Sequence, residues 1–406
     1  MGTIKEEPLW SIFNLGGKAH LQRVRVRADA LRTIWRDHWV ASTLVAYLAF
    51  TVLFGATTSL ETHRSWAIVA APAYSVALLM ALLPRVRRWA PSIAVAGSFV
   101  APLIILCLMG RAQPEVGVVL DGAVKALRDG SPYIPNPQTL SEYRPYAPLL
   151  FLFGIPAAIL KVPSIWDPRV GMDILLVSLI AMADRLRRPS APPLDRPGLL
   201  MLLSLPLVAL SLSVSAIDAP MTGLCIASFA LYDRERYMLA AILATLAMGM
   251  KPTAVLVVLA MLLSLLRRKG RGHAAVSFAV SAMITVMLTI APVLVLSPGA
   301  FWRNVVAFPA GLSETVSPAQ SPFPGVLIAH SMDFGIDIAI GLTAAAAIAS
   351  LFAIWKWPYG VRLSLARRVA LAFSVIFLLA PNSRAGYLML PVLLWATSSE
   401  EAQRNG

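Results

Sequence analysis

GRAQPEVGVVLDGAVKALRDGSPYIPNPQTLSEYRPY, residues 110–146, is the longest polar interval in a chain that is otherwise dominated by apolar runs. It carries four acids (Glu115, Asp121, Asp129, Glu142), four bases (Arg111, Lys125, Arg128, Arg144) and three tyrosines (Tyr133, Tyr143, Tyr146). On either side, apolar runs of about 15–22 residues recur along almost the whole length, close to the ~20 helical residues that cross a bilayer core. This pattern predicts an all-α polytopic membrane protein with about 12 transmembrane helices, 11–13 by the same length argument. The ten-residue alternation of barrel strands is absent.

Composition agrees with that reading: 58% of the 406 residues are apolar and 14% are charged, against about 25% charged in soluble domains. The net charge of +14 is not a nucleic-acid footprint, because the bases cluster between apolar runs. Arg85/Arg87/Arg88, Arg185/Arg187/Arg188, Arg234/Arg236, Arg267/Arg268/Lys269/Arg271 and Lys356/Arg362/Arg367/Arg368 are the short-loop clusters that hold membrane segments with those loops in the cytoplasm. Residues 1–38 read as a basic, aromatic, amphipathic lead-in on the inner surface, 39–397 as a single transmembrane catalytic domain, and 398–406 as a cytoplasmic tail. No cleavable signal is expected, since the first apolar run is too long and lacks a small-residue cleavage site.

With both ends inside, residues 110–146 and 297–324 become loops on the extracytoplasmic face. The segment Ala147–Lys161, interrupted by Gly154 and Pro156, is expected to be broken or re-entrant, giving one net crossing between Tyr146 and Arg185. Five spans are short: Met221–Tyr232, Tyr237–Met250, Thr253–Leu266, Val369–Ala380 and Tyr387–Ala396. Their inner ends are pinned by charge, so the deficit must appear at the outer turns. Those turns carry Asp218, Lys251 and Arg384. Charge and irregular backbone at such depth are tolerated where they line a polar cavity.

A cavity of that kind, lined by Lys and Arg and facing an acid-bearing loop, suits an anionic lipid head. Displacement at a sugar carbon needs a carboxylate to take the acceptor's proton and cations to stabilise the departing phosphate. Glu115 follows Pro114 at what reads as a helix start and is the first candidate base; Asp121 is the second. Asp129 precedes Gly130 at the helix end and reads as turn chemistry, and Glu142 as a solvated charge. Lys251, Arg384 and Arg144 are candidate phosphate ligands, Asp218 a sugar ligand or a partner for Lys251. Tyr146, Tyr387 and Asn382 complete the candidate substrate-binding set. Arg303 and the serines of the 297–324 loop read as a lid. The five histidines are scattered, Cys107 and Cys225 sit within apolar runs, and no Walker A, Gly-x-Ser-x-Gly or Gly-x-Gly-x-x-Gly motif occurs. The motifs therefore call for no cofactor, and a divalent metal stays open.

These stretches resemble a family. ALRDGSPY (Ala126–Tyr133) after an outer carboxylate, then YRPYAP (Tyr143–Pro148), look like the C-type membrane glycosyltransferases, and in particular the polyprenyl-phosphate-dependent enzymes of glycosyltransferase family 87. SAIDAP with Asp218, MGMKPTA with Lys251, SPAQSPFPG (Ser317–Gly325) and APNSRAGY (Ala380–Tyr387) extend the likeness over roughly residues 90–395. The resemblance implies a multi-pass cell-membrane enzyme of the cell envelope. It would move a sugar, often mannose or arabinose, from a polyprenyl phosphate to a glycolipid or glycan acceptor, with inversion and without nucleotide sugar. Membrane lipids are its expected surroundings, with no nucleic acid and no protein partner. Two features depart from the family pattern. The loop follows the third span rather than the first, and EVGVV places Glu115 where an Asp is usual. The rival reading is a non-enzymatic transporter or flippase for a lipid-linked or anionic solute, which should show repeat symmetry between halves; none is seen in the sequence.

Overall fold

The computed structural model describes residues 38–162, 166–188, 197–319, 321–356 and 363–398. The expected N-terminal amphipathic segment and nearly all of the C-terminal tail lie outside the described residues. Every regular element among those described is helical. In chain order they begin with α1 (His38–Thr57), α2 (Glu61–Leu82) and α3 (Arg87–Leu108), then α4 (Pro114–Asp129). The short segment α5 (Pro148–Leu160) leads to α6 (Pro168–Arg187). A bent pair follows, α7 (Pro197–Leu203) and α8 (Pro206–Val214), with a 55° angle between them. The second half runs through α9 (Ala219–Asp233), α10 (Tyr237–Met250), α11 (Pro252–Arg267), α12 (Gly272–Thr289) and α13 (Ala291–Leu296). The last long elements are α14 (Gly335–Lys356), α15 (Leu365–Leu379) and α16 (Ala385–Thr397).

Proline sets most of these boundaries. The chain has 30, and Pro114, Pro148, Pro168, Pro206, Pro220, Pro252 and Pro298 each stand in the first positions of a helix. There the missing N–H costs nothing and the fixed φ favours the helix. The same residues cut apolar runs into pieces. Five helices among the described residues (α1, α2, α3, α12 and α14) are long and apolar enough to cross a membrane, or six if the bent pair counts as one. The protein is thus a helical membrane protein, but the expected twelve crossings are not twelve long helices. The run Leu199–Ile217 is bent at Pro206, and α10, α11 and α16 stay short of a full crossing. The Ala147–Lys161 stretch, expected to be broken or re-entrant, holds one short continuous helical segment that passes from 3-10 geometry over Pro148–Gly154 to α-helix over Ile155–Leu160.

Burial orders the bundle. Every residue of α9 from Ala219 to Tyr232 is buried, so this uniformly apolar helix forms the centre, packed between α6 and α10. At the periphery only 11% of the apolar window of α14 and 17% of that of α1 is buried, as expected of faces turned to lipid.

The 297–324 stretch differs from the open loop expected of it. Pro298–Phe301, Trp302–Ala307 and Phe308–Ala310 form a continuous helical run with a π-bulge in its middle. Asn304, fully buried on this run, accepts from the Arg144 backbone N–H (2.8 Å) and donates to the Ile134 carbonyl (2.9 Å). The run is therefore bolted to the 110–146 interval rather than free above it. Pro298 and Pro309 disguised this, the first at the start of the run and the second next to its end.

Two glycines allow α4 to sit directly on α5. A Cβ on Gly122 would fall 2.3 Å from the Phe151 ring, and one on Gly154 would fall 2.7 Å from the Val119 carbonyl oxygen and 2.8 Å from the Ala123 Cβ. Gly154→Ala must push the helix that bears Glu115 away from its support. Overpacking of this kind costs about 1–3 kcal/mol, so we expect a lower thermal midpoint in detergent and reduced activity, with wild-type values from the adjacent Leu152→Val control, whose side chain is exposed.

Candidate functional site

Glu115 is placed by local rules. Gln113 is extended (φ −69, ψ 153), Pro114 opens α4, and Gly130 closes it in the left-handed region (φ 75), the conformation that glycine adopts without a Cβ penalty. Asp129 binds Lys125 and Arg128, which hold its carboxyl well below the ordinary carboxylate range; it is turn chemistry, as read from the sequence. The Gln113 backbone N–H donates to the Val214 carbonyl (2.9 Å), which ties the start of α4 to the turn that carries Asp218.

The three short turns expected to be sunken converge. Lys251 Nζ donates to Asp218 Oδ1 at 2.5 Å, with the side chains only 13% and 14% exposed. The same ammonium lies 4.0 Å from the centroid of the Tyr387 ring, a cation–π contact in a desolvated setting. Three residues before Tyr387, Arg384 Nη1 pairs with Glu115 Oε1. Lys251 leaves α10 in extended conformation (φ −147, ψ 123), and Ala216 takes a left-handed φ of 57 just before Asp218. The Ala147 N–H donates to the Met250 carbonyl (3.1 Å). Tyr146 next to it is buried within electrostatic reach of Tyr387 and Asp218. Five regions far apart in sequence, 113–115, 146–147, 216–218, 250–251 and 384–387, thus meet at one end of the bundle.

The cluster is charge-balanced: two carboxylates face two cations. One polar atom stands out. Glu115 Oε2 is buried and has no hydrogen-bond partner among the described residues, although Oε1 is engaged. A buried unpartnered carboxylate oxygen is costly.

The other candidates fall differently. The Arg144 guanidinium, 7% exposed, is engaged by the Ser141 and Tyr143 carbonyls and lies 3.7 Å from Asp121, whose own side chain is 70% exposed. These two residues pair with each other, and no described contact joins them to Glu115, Lys251 or Arg384. Burial lowers the Arg144 pKa, and the Asp121 and Glu142 charges oppose that shift. Glu142 is not a simple solvated charge: it accepts from the Gln138 and Thr139 N–H groups (2.6 and 3.1 Å), which lower its pKa, and forms a capping box with Thr139. Asn382 donates weakly to the Pro309 carbonyl (3.4 Å), linking the 380–387 turn to the helical run rather than to the charges. Arg303 binds the Pro135 carbonyl and Asn136 (2.8 and 2.7 Å); it fastens two surface segments to each other.

Sequence reasoning missed His63 and Gln113, whose side chains meet at 2.5 Å beside the start of α4. It also missed a buried polar knot behind the site. Arg169, with no exposed surface, chelates Asp167 (2.9 and 2.7 Å) and donates to the Ser213 carbonyl (2.8 Å). The Asp-Pro start of α6 could have suggested Asp167 as an N-cap, where it accepts from the Arg169 backbone N–H; nothing local signals His63.

The sequence profile described as glycosyltransferase family 87 matches residues 145–381, more than half of the chain. The matched segment includes Tyr146, Asp218 and Lys251. It begins after Glu115 and stops three residues before Arg384. No curated protein and no solved structure is significantly similar to the chain.

Proposed function

Because the chain belongs to glycosyltransferase family 87, and is therefore a membrane glycosyltransferase, we propose that this cluster moves a sugar such as mannose or arabinose from a polyprenyl phosphate to a glycolipid or glycan acceptor on the extracytoplasmic side. The observation that carries the reading is the two adjoining, largely shielded ion pairs with one carboxylate oxygen, Glu115 Oε2, unpartnered among the described residues.

The geometry suits an inverting displacement. The acceptor hydroxyl attacks the anomeric carbon while its proton passes to Glu115 Oε2, and the bond from that carbon to the phosphate oxygen breaks with its electron pair going to the phosphate. Charge balance favours the sequence of events. Glu115 neutralises Arg384 at rest; once protonated it no longer does, so Arg384 acquires an uncompensated positive charge as the leaving phosphate gains a negative one. Lys251, oriented by Asp218 and the Tyr387 ring, supplies a second cation. Both act where water is scarce, so each counts for more than it would at the surface.

The test is to reconstitute the full chain in vesicles with radiolabelled polyprenyl-phosphate mannose or polyprenyl-phosphate arabinose and membrane acceptors. Appearance of label in a lipid-free or glycolipid product supports the reading. Label that crosses the bilayer with the sugar–phosphate bond intact indicates a flippase instead.

A further inference from the structure

We infer that the α1–α2 hairpin aims the base, with His63 as the positioning residue for Glu115. The inference rests on the role proposed above for Glu115. It starts from residues that lie wholly outside the matched segment 145–381.

Three side chains on the first turns of α2 hold two of the three residues that lead into α4. Glu61 pairs with Arg111 at 3.0 Å, Ser65 Oγ accepts from the same guanidinium at 3.4 Å, and His63 Nε2 lies 2.5 Å from Gln113 Nε2. The last contact needs a neutral imidazole with its proton on Nδ1, so that the carboxamide donates to the bare Nε2. The His63 ring is in turn backed by Phe54 of α1, centroids 5.4 Å apart, and Gly55 lets α1 approach α2 closely, since a Cβ there would meet the Ala67 Cβ at 2.6 Å.

Gln113 occupies the N-cap of α4 yet makes no side-chain cap bond to its own helix. Its carboxamide, spent on His63, therefore fixes the entry of the chain rather than the helix end. Pro114 then locks φ, and Glu115 follows at once. With Gln113 N–H bound to Val214 on the other flank, the direction in which Glu115 leaves the backbone is set by the hairpin on one side and the Asp218 turn on the other. The Glu61–Arg111 pair is exposed at 73% and 41% and contributes little; the His63–Gln113 contact is half-buried and is the tie that matters.

Two measurements test this in the full chain in vesicles. In the transfer assay, His63→Ala should lower kcat about tenfold with the donor KM unchanged, because small misplacements of a catalytic group act on the chemical step. His63→Gln, which offers a carbonyl oxygen at the reach of Nε2, should restore most of the loss. Gln113→Ala should match His63→Ala, and the double variant should be no worse than either single one. The second measurement does not need activity: Glu115→Cys with Arg384→Cys, bridged by a short thiol cross-linker, should react efficiently when His63 is present, several-fold less with His63→Ala, and efficiently again with His63→Gln. Unchanged cross-linking across the His63 variants overturns the inference, as does a rise in KM alone or a failure of His63→Gln to rescue. The predicted cross-linking pattern in the cysteine variants, together with a wild-type chain that transfers neither sugar, would instead overturn the proposed function and leave the positioning role standing.

Discussion

Glu115→Gln should reduce sugar transfer by a factor of about 10²–10⁴, the range a positioned general base contributes, while the protein folds and binds the donor as before. The substitution keeps the shape of the side chain and an oxygen for Arg384, so the loss falls on proton acceptance and not on architecture. It also removes the charge that neutralises Arg384. A permanently cationic Arg384 should hold the phosphate of the donor more firmly, so donor KM should stay level or fall. That combination, kcat lost and KM not raised, separates a base from a substrate-binding acid. The second candidate gives the control: Asp121→Asn, at a 70% exposed side chain paired only with Arg144, should leave kcat within about twofold, as surface changes away from a reacting centre do. Full activity in Glu115→Gln would remove Glu115 from the mechanism.

Lys251→Met should be the second large effect, and it has two parts that a double variant can separate. Asp218 is left buried with no cation, and breaking one side of a buried ion pair costs about 3–5 kcal/mol. We expect a sharp fall in thermal midpoint and in yield. Asp218→Asn in the same chain removes the stranded charge and should recover much of the stability. It should not recover transfer, because the cation for the leaving phosphate is still missing and the Tyr387 ring, 4.0 Å away, has lost the group it orients. Transfer restored together with stability would make Lys251 a purely structural partner of Asp218.

What could be read from the sequence follows from how local each signal is. The start of α4 at Pro114 and its end at Gly130 are written in the residues that impose them, and the structure has them there; at Gly154–Pro156 the expected interruption is a change from 3-10 to α geometry within one helix. The gathering of Asp218, Lys251 and Arg384 was legible for a different reason. A charge in a turn too short to reach water needs company, and three such turns on one side of a bundle have only each other. The pairing of Lys251 with Asp218 was among the options this allowed. That Arg384 would bind Glu115 was not, because a contact across nearly 270 residues leaves no trace in either local stretch. Arg144 shows the opposite failure: its position at the re-entry suggested a phosphate ligand, but the Ser141 and Tyr143 carbonyls curl back onto it, a fold-back no spacing encodes. The helical run of 298–310 was hidden by its prolines, and the run Leu199–Ile217, continuous in sequence, is bent in space at Pro206. His63 was set aside with four other histidines for want of a metal-like spacing; its importance comes from an N-terminal hairpin whose contacts only the three-dimensional arrangement shows.

The most direct measurement is the structure of the full chain in nanodiscs with a polyprenyl-phosphate sugar bound. The account predicts the phosphate within about 3 Å of Lys251 and Arg384, at charge-assisted hydrogen-bond distance, with the Glu115 carboxylate facing the anomeric carbon from the opposite side and the isoprenoid tail leaving between helices. A donor seated elsewhere, with the Glu115–Arg384 and Asp218–Lys251 pairs closed as they are in the free protein, would contradict it.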